Sequence, residues 1–174
     1  LQGCGGGGGT STPTPVSSPA DTTPPVITVA GSIAAQHEQG TVYAAAGATA
    51  LDDVDGYADV AASGSVDEAV AAAYNITYSA SDTAGNSASA TSNIVVQDTI
   101  APVITLNGDA NVTIDQGLEY SDLGATATDS VDGNLEVSVS GSVGTEIGEY
   151  TLTYSAGDAG GNIASVDRIV NVTQ

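Results

Sequence analysis

Four aspartates recur at matched places in two stretches of this 174-residue chain: Asp21, Asp52, Asp55 and Asp82, then Asp98, Asp129, Asp132 and Asp158. Asn86 and Asn162 stand beside them, and Asp53 adds a further acid to the first set. Carboxylates that converge without a counter-ion repel and raise one another's pKa. A hard cation relieves that repulsion, and calcium suits such a set because it takes about six to eight oxygens in flexible geometry. Zinc and copper fit poorly, since His37 and Cys4 are the chain's one histidine and one cysteine. No EF-hand loop closing on a bidentate Glu is present. Asp-Gly and Gly-Asn pairs also serve as plain turn residues, through Asx hydrogen bonds and left-handed glycine. Turn chemistry leaves unexplained the acid Asp98 in a linker and the pairing of Asp129 with Asp132. We therefore expect Ca2+ at Asp21, Asp52, Asp55, Asp82 and Asn86, and again at Asp98, Asp129, Asp132, Asp158 and Asn162.

Other chemistry is thin. His37 aligns with Ile114 in an alternating run and reads as a half-buried strand residue rather than a base. With one His and no Lys, the many serines lack an activating partner. Asp52 and Asp55 have the residue types of a glycosidase pair, but they share one short turn, with little chain left for a sugar cleft. No catalytic residue is assigned. Tyr57, which stands where the second copy has Asn134, reads first as a packing residue and second as an exposed contact. Asn75, Asn111 and Asn171 open sequons that are most simply alternating strand residues.

Lys+Arg is 1 against Asp+Glu 21, for a formal net charge of -20. Nucleic acid is excluded as a partner on that balance, because phosphate binding needs clustered Lys and Arg and the chain has Arg168 alone. Hydrophobic residues make up 41% and charged residues 13%, which is the profile of a folding chain rather than a disordered one. With Phe, Trp and Met absent and Gly at 22, the cores must be thin and the turns many.

The elements that hold the acids come from one unit written twice. Asp21-Thr22-Thr23-Pro24-Pro25-Val26-Ile27-Thr28 matches Asp98-Thr99-Ile100-Ala101-Pro102-Val103-Ile104-Thr105, and Gly47-Ala48-Thr49-Ala50 matches Gly124-Ala125-Thr126-Ala127. Gly64-Ser65-Val66 matches Gly141-Ser142-Val143, and Tyr78-Ser79-Ala80 matches Tyr154-Ser155-Ala156. Such self-similarity predicts tandem domains, here 21–97 and 98–174, behind a Gly/Ser/Thr/Pro tether over 1–20. Within each unit short β-branched runs alternate between Gly, Asp and Asn clusters: 103–106, 112–114, 125–128, 137–139, 150–154 and 169–172. This predicts an all-β fold, two antiparallel Ig-like sandwiches of six or seven strands each. The Ala-rich stretch 68–73 reads as a loop. In an Ig sandwich the turn after strand B, the turn after strand F and the entering N-terminal segment share one end. That topology gathers Asp98, Asp129, Asp132 and Asp158, with Asn134 and Asn162 nearby.

The pattern Asp-Thr-x-x-Pro-Val-Ile-Thr, then Gly-Ala-x-Ala-x-Asp-x-Val-Asp-Gly, then Gly-x-Tyr-x-Leu-x-Tyr-Ser-Ala-x-Asp-x-x-Gly-Asn resembles the bacterial surface Ig-like repeat family, also found in pesticidal crystal proteins. The second copy fits it better. In the first, Ala44, Ala45 and Ala46 replace Ser121, Asp122 and Leu123, and Ala72-Ala73-Tyr74 replaces Gly-x-Tyr. The resemblance implies a secreted, cell-surface, tandem module without catalytic activity. It also implies that Tyr74 and Tyr150 form tyrosine corners.

Leu1-Gln2-Gly3-Cys4 resembles the lipobox that ends a bacterial lipoprotein signal peptide, with Gln2 as a mild departure. That resemblance implies a lipid on Cys4, and Gly5 after it implies the outer membrane of the bacterial cell envelope, with display at the surface. The sixteen or so residues beyond Cys4 reach roughly 50 Å when extended. The expected protein is a calcium-stiffened stalk or adhesion module with an unnamed glycan or protein ligand. Its alternative is a spacer or carbohydrate-binding region of an exported enzyme. Gln174 stands where a further copy would open with an acid, which predicts that the array ends there.

Overall fold

The computed structural model describes residues 19–31 and 34–174. Cys4 and the tether up to residue 18 lie outside them. Described residues form no helix and divide into two Ig-like sandwiches, each with a three-stranded and a four-stranded sheet. In the first repeat β1 (Val26–Val29), β3 (Ala48–Asp52) and β4 (Gly56–Ala58) form the small sheet in that order. β2 (Ala34–Glu38), β7 (Ser87–Gln97), β6 (Ala72–Ser81) and β5 (Val60–Ser63) form the large one. The second repeats this with β8 (Val103–Leu106), β10 (Ala125–Asp129) and β11 (Gly133–Leu135). Its large sheet orders β9 (Asn111–Asp115), β14 (Ile163–Thr173), β13 (Gly148–Gly157) and β12 (Ser138–Ser140).

The sheets are not wholly antiparallel. β2 pairs with β7, and β9 with β14, in parallel. The opening strand changes sheet between β1 and β2 and between β8 and β9, near Gly31 at φ 83° and Gly108 at φ 90°. Glycine takes that left-handed geometry without steric cost, so the chain can leave one sheet and join the other. β4 and β11, each three residues long, went unforeseen. They pair with β3 and β10 as hairpins across the acidic turns. Residues 68–70 form a turn as expected, but Ala72 and Ala73 already belong to β6.

Period-two alternation builds the cores. β6 buries Ile76, Tyr78 and Ala80, and β7 buries Ser92, Ile94 and Val96. β13 buries Leu152, Tyr154 and Ala156, while β14 buries Arg168, Val170 and Val172. β1 packs onto β6 and β7, and β8 onto β13 and β14. Each fully buried Ile, Val or Leu contributes about 1.5–3 kcal/mol. The Tyr74 hydroxyl donates to the Val70 carbonyl and the Tyr150 hydroxyl to that of Glu146, both at 3.0 Å and both from four residues upstream. These are tyrosine corners. His37 sits half-buried on β2, edge-on to Tyr43 with ring centroids 5.2 Å apart, and its Nε2 lies 2.9 Å from the Thr41 carbonyl. Tyr57 is 83% exposed, so its packing role is overturned. It extends an outward row with its cross-strand partner Leu51 and with Val26.

Candidate metal centre

Each acidic turn is built by its own first aspartate. Asp129 Oδ1 accepts the amides of Val131 at 2.7 Å and Asp132 at 3.1 Å. Asp52 does the same for Val54 at 2.8 Å and Asp55 at 3.0 Å. These Asx turns, with Gly133 and Gly56 at positive φ, let β10 and β3 fold back into β11 and β4. The later loop is closed by its asparagine. Asp158 Oδ1 accepts the Asn162 amide at 2.7 Å and Oδ2 the Asn162 Nδ2 at 2.9 Å. Asp82 and Asn86 repeat the pair at 2.8 and 2.7 Å.

Three pieces of chain then meet at the entry pole of each repeat. Asn162 Nδ2 reaches the carbonyls of Asp98 at 3.2 Å and Ile100 at 3.4 Å, tying the entering segment to the β13–β14 loop. Asn86 ties Asp21 and Thr23 in the same way, at 3.3 Å each. Asp132 Oδ2 accepts the Ala159 amide at 2.7 Å, and Asp55 Oδ2 the Thr83 amide at 2.9 Å, joining the two turns. In the second repeat Asp98, Asp129 and Asp158 present carboxylate oxygens all within 4.8 Å of one another. In the first the trio is Asp21, Asp55 and Asp82. Asp132 works as a clamp between loops, and Asp52 supports its turn beside the first trio. Asn86 and Asn162 act as donors to carboxylate and carbonyl oxygens. Asn134 does not join them; it is exposed on β11 opposite Thr128. Asp53 receives the Thr23 hydroxyl at 2.9 Å.

Turn chemistry accounts for one oxygen of each turn-building and entry aspartate and leaves the other. Among the described residues, the buried side-chain oxygens without a hydrogen-bond partner are Oδ2 of Asp21, Asp52, Asp98 and Asp129. They are the same two positions in both copies. Asp98 is only 7% exposed and Asp52 only 4%. A buried carboxylate oxygen without a donor carries a desolvation cost that a cation removes.

The acids do not all respond as mutual repulsion predicts. Burial pushes the Asp98 pKa up, and the charges of Asp129 and Asp158 add to the rise. Asp129 itself is held below its ordinary value, because the Val131 and Asp132 amides favour its charged form more than burial opposes it. Burial also opposes ionisation of Asp82, but the Asn86 side chain and amide outweigh it and lower its pKa. A buried Asp98 whose charged form is disfavoured, beside an Asp129 whose charged form is favoured, suits a cation that supplies positive charge to both.

One contributor escaped the sequence reading. Glu38, at the end of β2 in the first repeat, accepts the Thr99 amide at 3.1 Å through Oε1 and the Thr99 hydroxyl through Oε2. Its carboxyl also acts on Asp98, adding to the rise of the Asp98 pKa. The available signal was its alignment with Asp115, which ends β9 in the second repeat.

The family model for the bacterial surface protein Ig-like domain matches residues 27–96 and 104–172. An uncharacterized 81.3 kDa protein of Acholeplasma phage L2 is 35% identical over 102 residues, covering 51% of this chain. The chain spans 13% of that protein's length. The crystal structure of the lipoprotein BT2262 from Bacteroides thetaiotaomicron aligns over 83% of this chain and 98% of its own, with 16% identity and a TM-score of 0.38. That likeness is too loose to bear on function. The matched segments cover most of both sandwiches, and the chain belongs to the bacterial surface Ig-like domain family.

Proposed function

We propose that this chain is a non-catalytic surface stalk or adhesion module whose repeats each hold a calcium ion at the entry pole. The observation that carries the reading is the pair of unpartnered buried oxygens at equivalent places in both copies, Asp21 and Asp52, then Asp98 and Asp129. Calcium needs several oxygens from separate pieces of chain, and carboxylates there would be its first donors. Ion binding would add stability to the folded state and fix the segment entering each repeat. A lipid on Cys4 would tether the module to the outer membrane, with the stiffened repeats giving reach.

Small-angle scattering of the chain during EGTA titration tests the stalk. A maximum dimension and thermal midpoint unchanged by chelation would remove calcium stiffening. Intact-mass measurement of membrane-extracted protein tests the anchor, which predicts added acyl mass on the peptide containing Cys4. A second reading, a spacer within a larger exported protein, draws support from the 13% share of the phage protein that this chain spans. An open reading frame with a further large domain would favour it.

A further inference from the structure

The two acid clusters are not equivalent, and the difference lies at the junction between repeats. At the second cluster a cleft of about 570 Å³ is lined by Gln39 and Ala71 from the first repeat and by Asp98, Asp132, Gly160 and Asn162 from the second. Asp98 enters it 7% exposed with Oδ2 unpartnered. Glu38 stands over the same entry segment, accepting the Thr99 amide at 3.1 and 3.2 Å through its two oxygens. The next amide, that of Gln39, donates to the Gln97 carbonyl at 3.0 Å, so the end of β2 is fastened to the last residue of β7, directly before Asp98. The second repeat builds the same exit turn, where the Gln116 amide donates to the Thr173 carbonyl at 2.7 Å and Asp115 holds the place of Glu38. Each repeat thus carries acids at its entry pole and one acid at its exit pole, and at the junction the two poles meet.

We propose that Glu38 supplies a carboxylate from the first repeat to the calcium site of Asp98, Asp129 and Asp158, so that one ion is shared by both repeats. This rests on the calcium reading above and adds its composite, inter-repeat character. The first cluster, Asp21, Asp55 and Asp82, draws all its acids from its own repeat and its entry segment. The junction site therefore has a greater ligand charge, which raises calcium affinity. A cation held by side chains of both repeats restricts their relative rotation, whereas one held by a single repeat stiffens only that repeat's loops.

Calorimetric CaCl2 titration of the full chain separates these cases. Asp21→Asn weakens the first site and leaves the junction site to be read alone. In that background Glu38→Gln should weaken calcium binding by at least about tenfold. It should also abolish the calcium-dependent change in maximum dimension seen by scattering. Asp115→Asn, which alters the matching acid at the far pole, should change neither. Glu38→Ala serves as a second variant, with circular dichroism to verify folding. If Glu38→Gln binds calcium as tightly as its parent and keeps the scattering response, the shared site is wrong while the calcium reading survives. If the unmutated chain binds no calcium, both fall.

Discussion

The Arg168 guanidinium, 1% exposed inside the second repeat, meets the partly exposed Asp122 carboxylate at 2.5 Å. The chain's one Lys or Arg is thus withdrawn from the surface. Its Nε and Nη2 donate to the carbonyls of Asp109 at 3.0 Å and Asn107 at 2.7 Å, and the Tyr154 hydroxyl shares Asp122. The first repeat has Ser92 opposite Ile76, where the second has Arg168 opposite Leu152, and Ala45 aligns with Asp122. Both members of the pair are absent together, and the Tyr78 hydroxyl donates to the Ala46 carbonyl instead.

Removing one member should therefore hurt more than removing both. Asp122→Ala leaves a buried cation without its counter-charge and should destabilise the second repeat by about 3–5 kcal/mol. Arg168→Met combined with Asp122→Ala should cost less than Asp122→Ala alone. Chemical denaturation of the double-mutant cycle measures this.

Alkaline pH acts on the same network. Burial, then the bond to Asp122, pushes the Tyr154 pKa from its ordinary value near 10 up to about 12. The unfolded chain loses this proton first, so the stability it provides is complete below pH 10 and is lost as pH rises towards 12. Burial opposes ionisation of Asp122, yet Tyr154, the Gly124 amide and Arg168 outweigh it and lower its pKa. Its contribution is present above the ordinary carboxylate range and is lost as pH falls through the folded value. Tyr154→Phe should flatten the melting temperature of the second repeat between pH 10 and 12 relative to the unmodified chain.

Gly141 is fixed by its surroundings. It sits at φ 97°, and a Cβ there would lie 2.3 Å from the Thr151 carbonyl oxygen. Gly64 repeats this against Asn75 at the same 2.3 Å. Backbone has to move to admit a methyl group, so Gly141→Ala should destabilise by about 3 kcal/mol or more. Thermal unfolding reads the loss.

Tyr150→Phe removes only the hydroxyl bond to Glu146 and keeps the ring. It should cost about 1 kcal/mol, measured by denaturation, with calcium binding unchanged.

Much of this fold was legible because alternation and repetition are local signals. The long strands β6, β7, β13 and β14 announce themselves through period two, and the tyrosine corners followed from the family resemblance. Three-residue strands such as β4 carry too few residues for alternation to register. The convergence of Asp98, Asp129 and Asp158 was legible because an Ig sandwich brings the turn after strand B, the turn after strand F and the entering segment to one end. Which carboxylate oxygens would be left without donors was not, since that depends on how the turn amides are shared. Glu38 was hidden for another reason: at the end of a strand it reads as a solvated charge, and only the path of the linker brings Thr99 to it. Arg168 was equally hidden, because a lone basic residue in a strand signals exposure by type, and its burial depends on Asp122 and two carbonyls from distant segments.

The account turns on cations held at the entry poles. Calorimetric titration of chelator-stripped protein with CaCl2 tests this most directly. The account predicts two calcium ions per chain, with Asp98→Asn and Asp21→Asn each removing one. A flat titration, with a melting temperature identical in calcium and in EGTA, would contradict it.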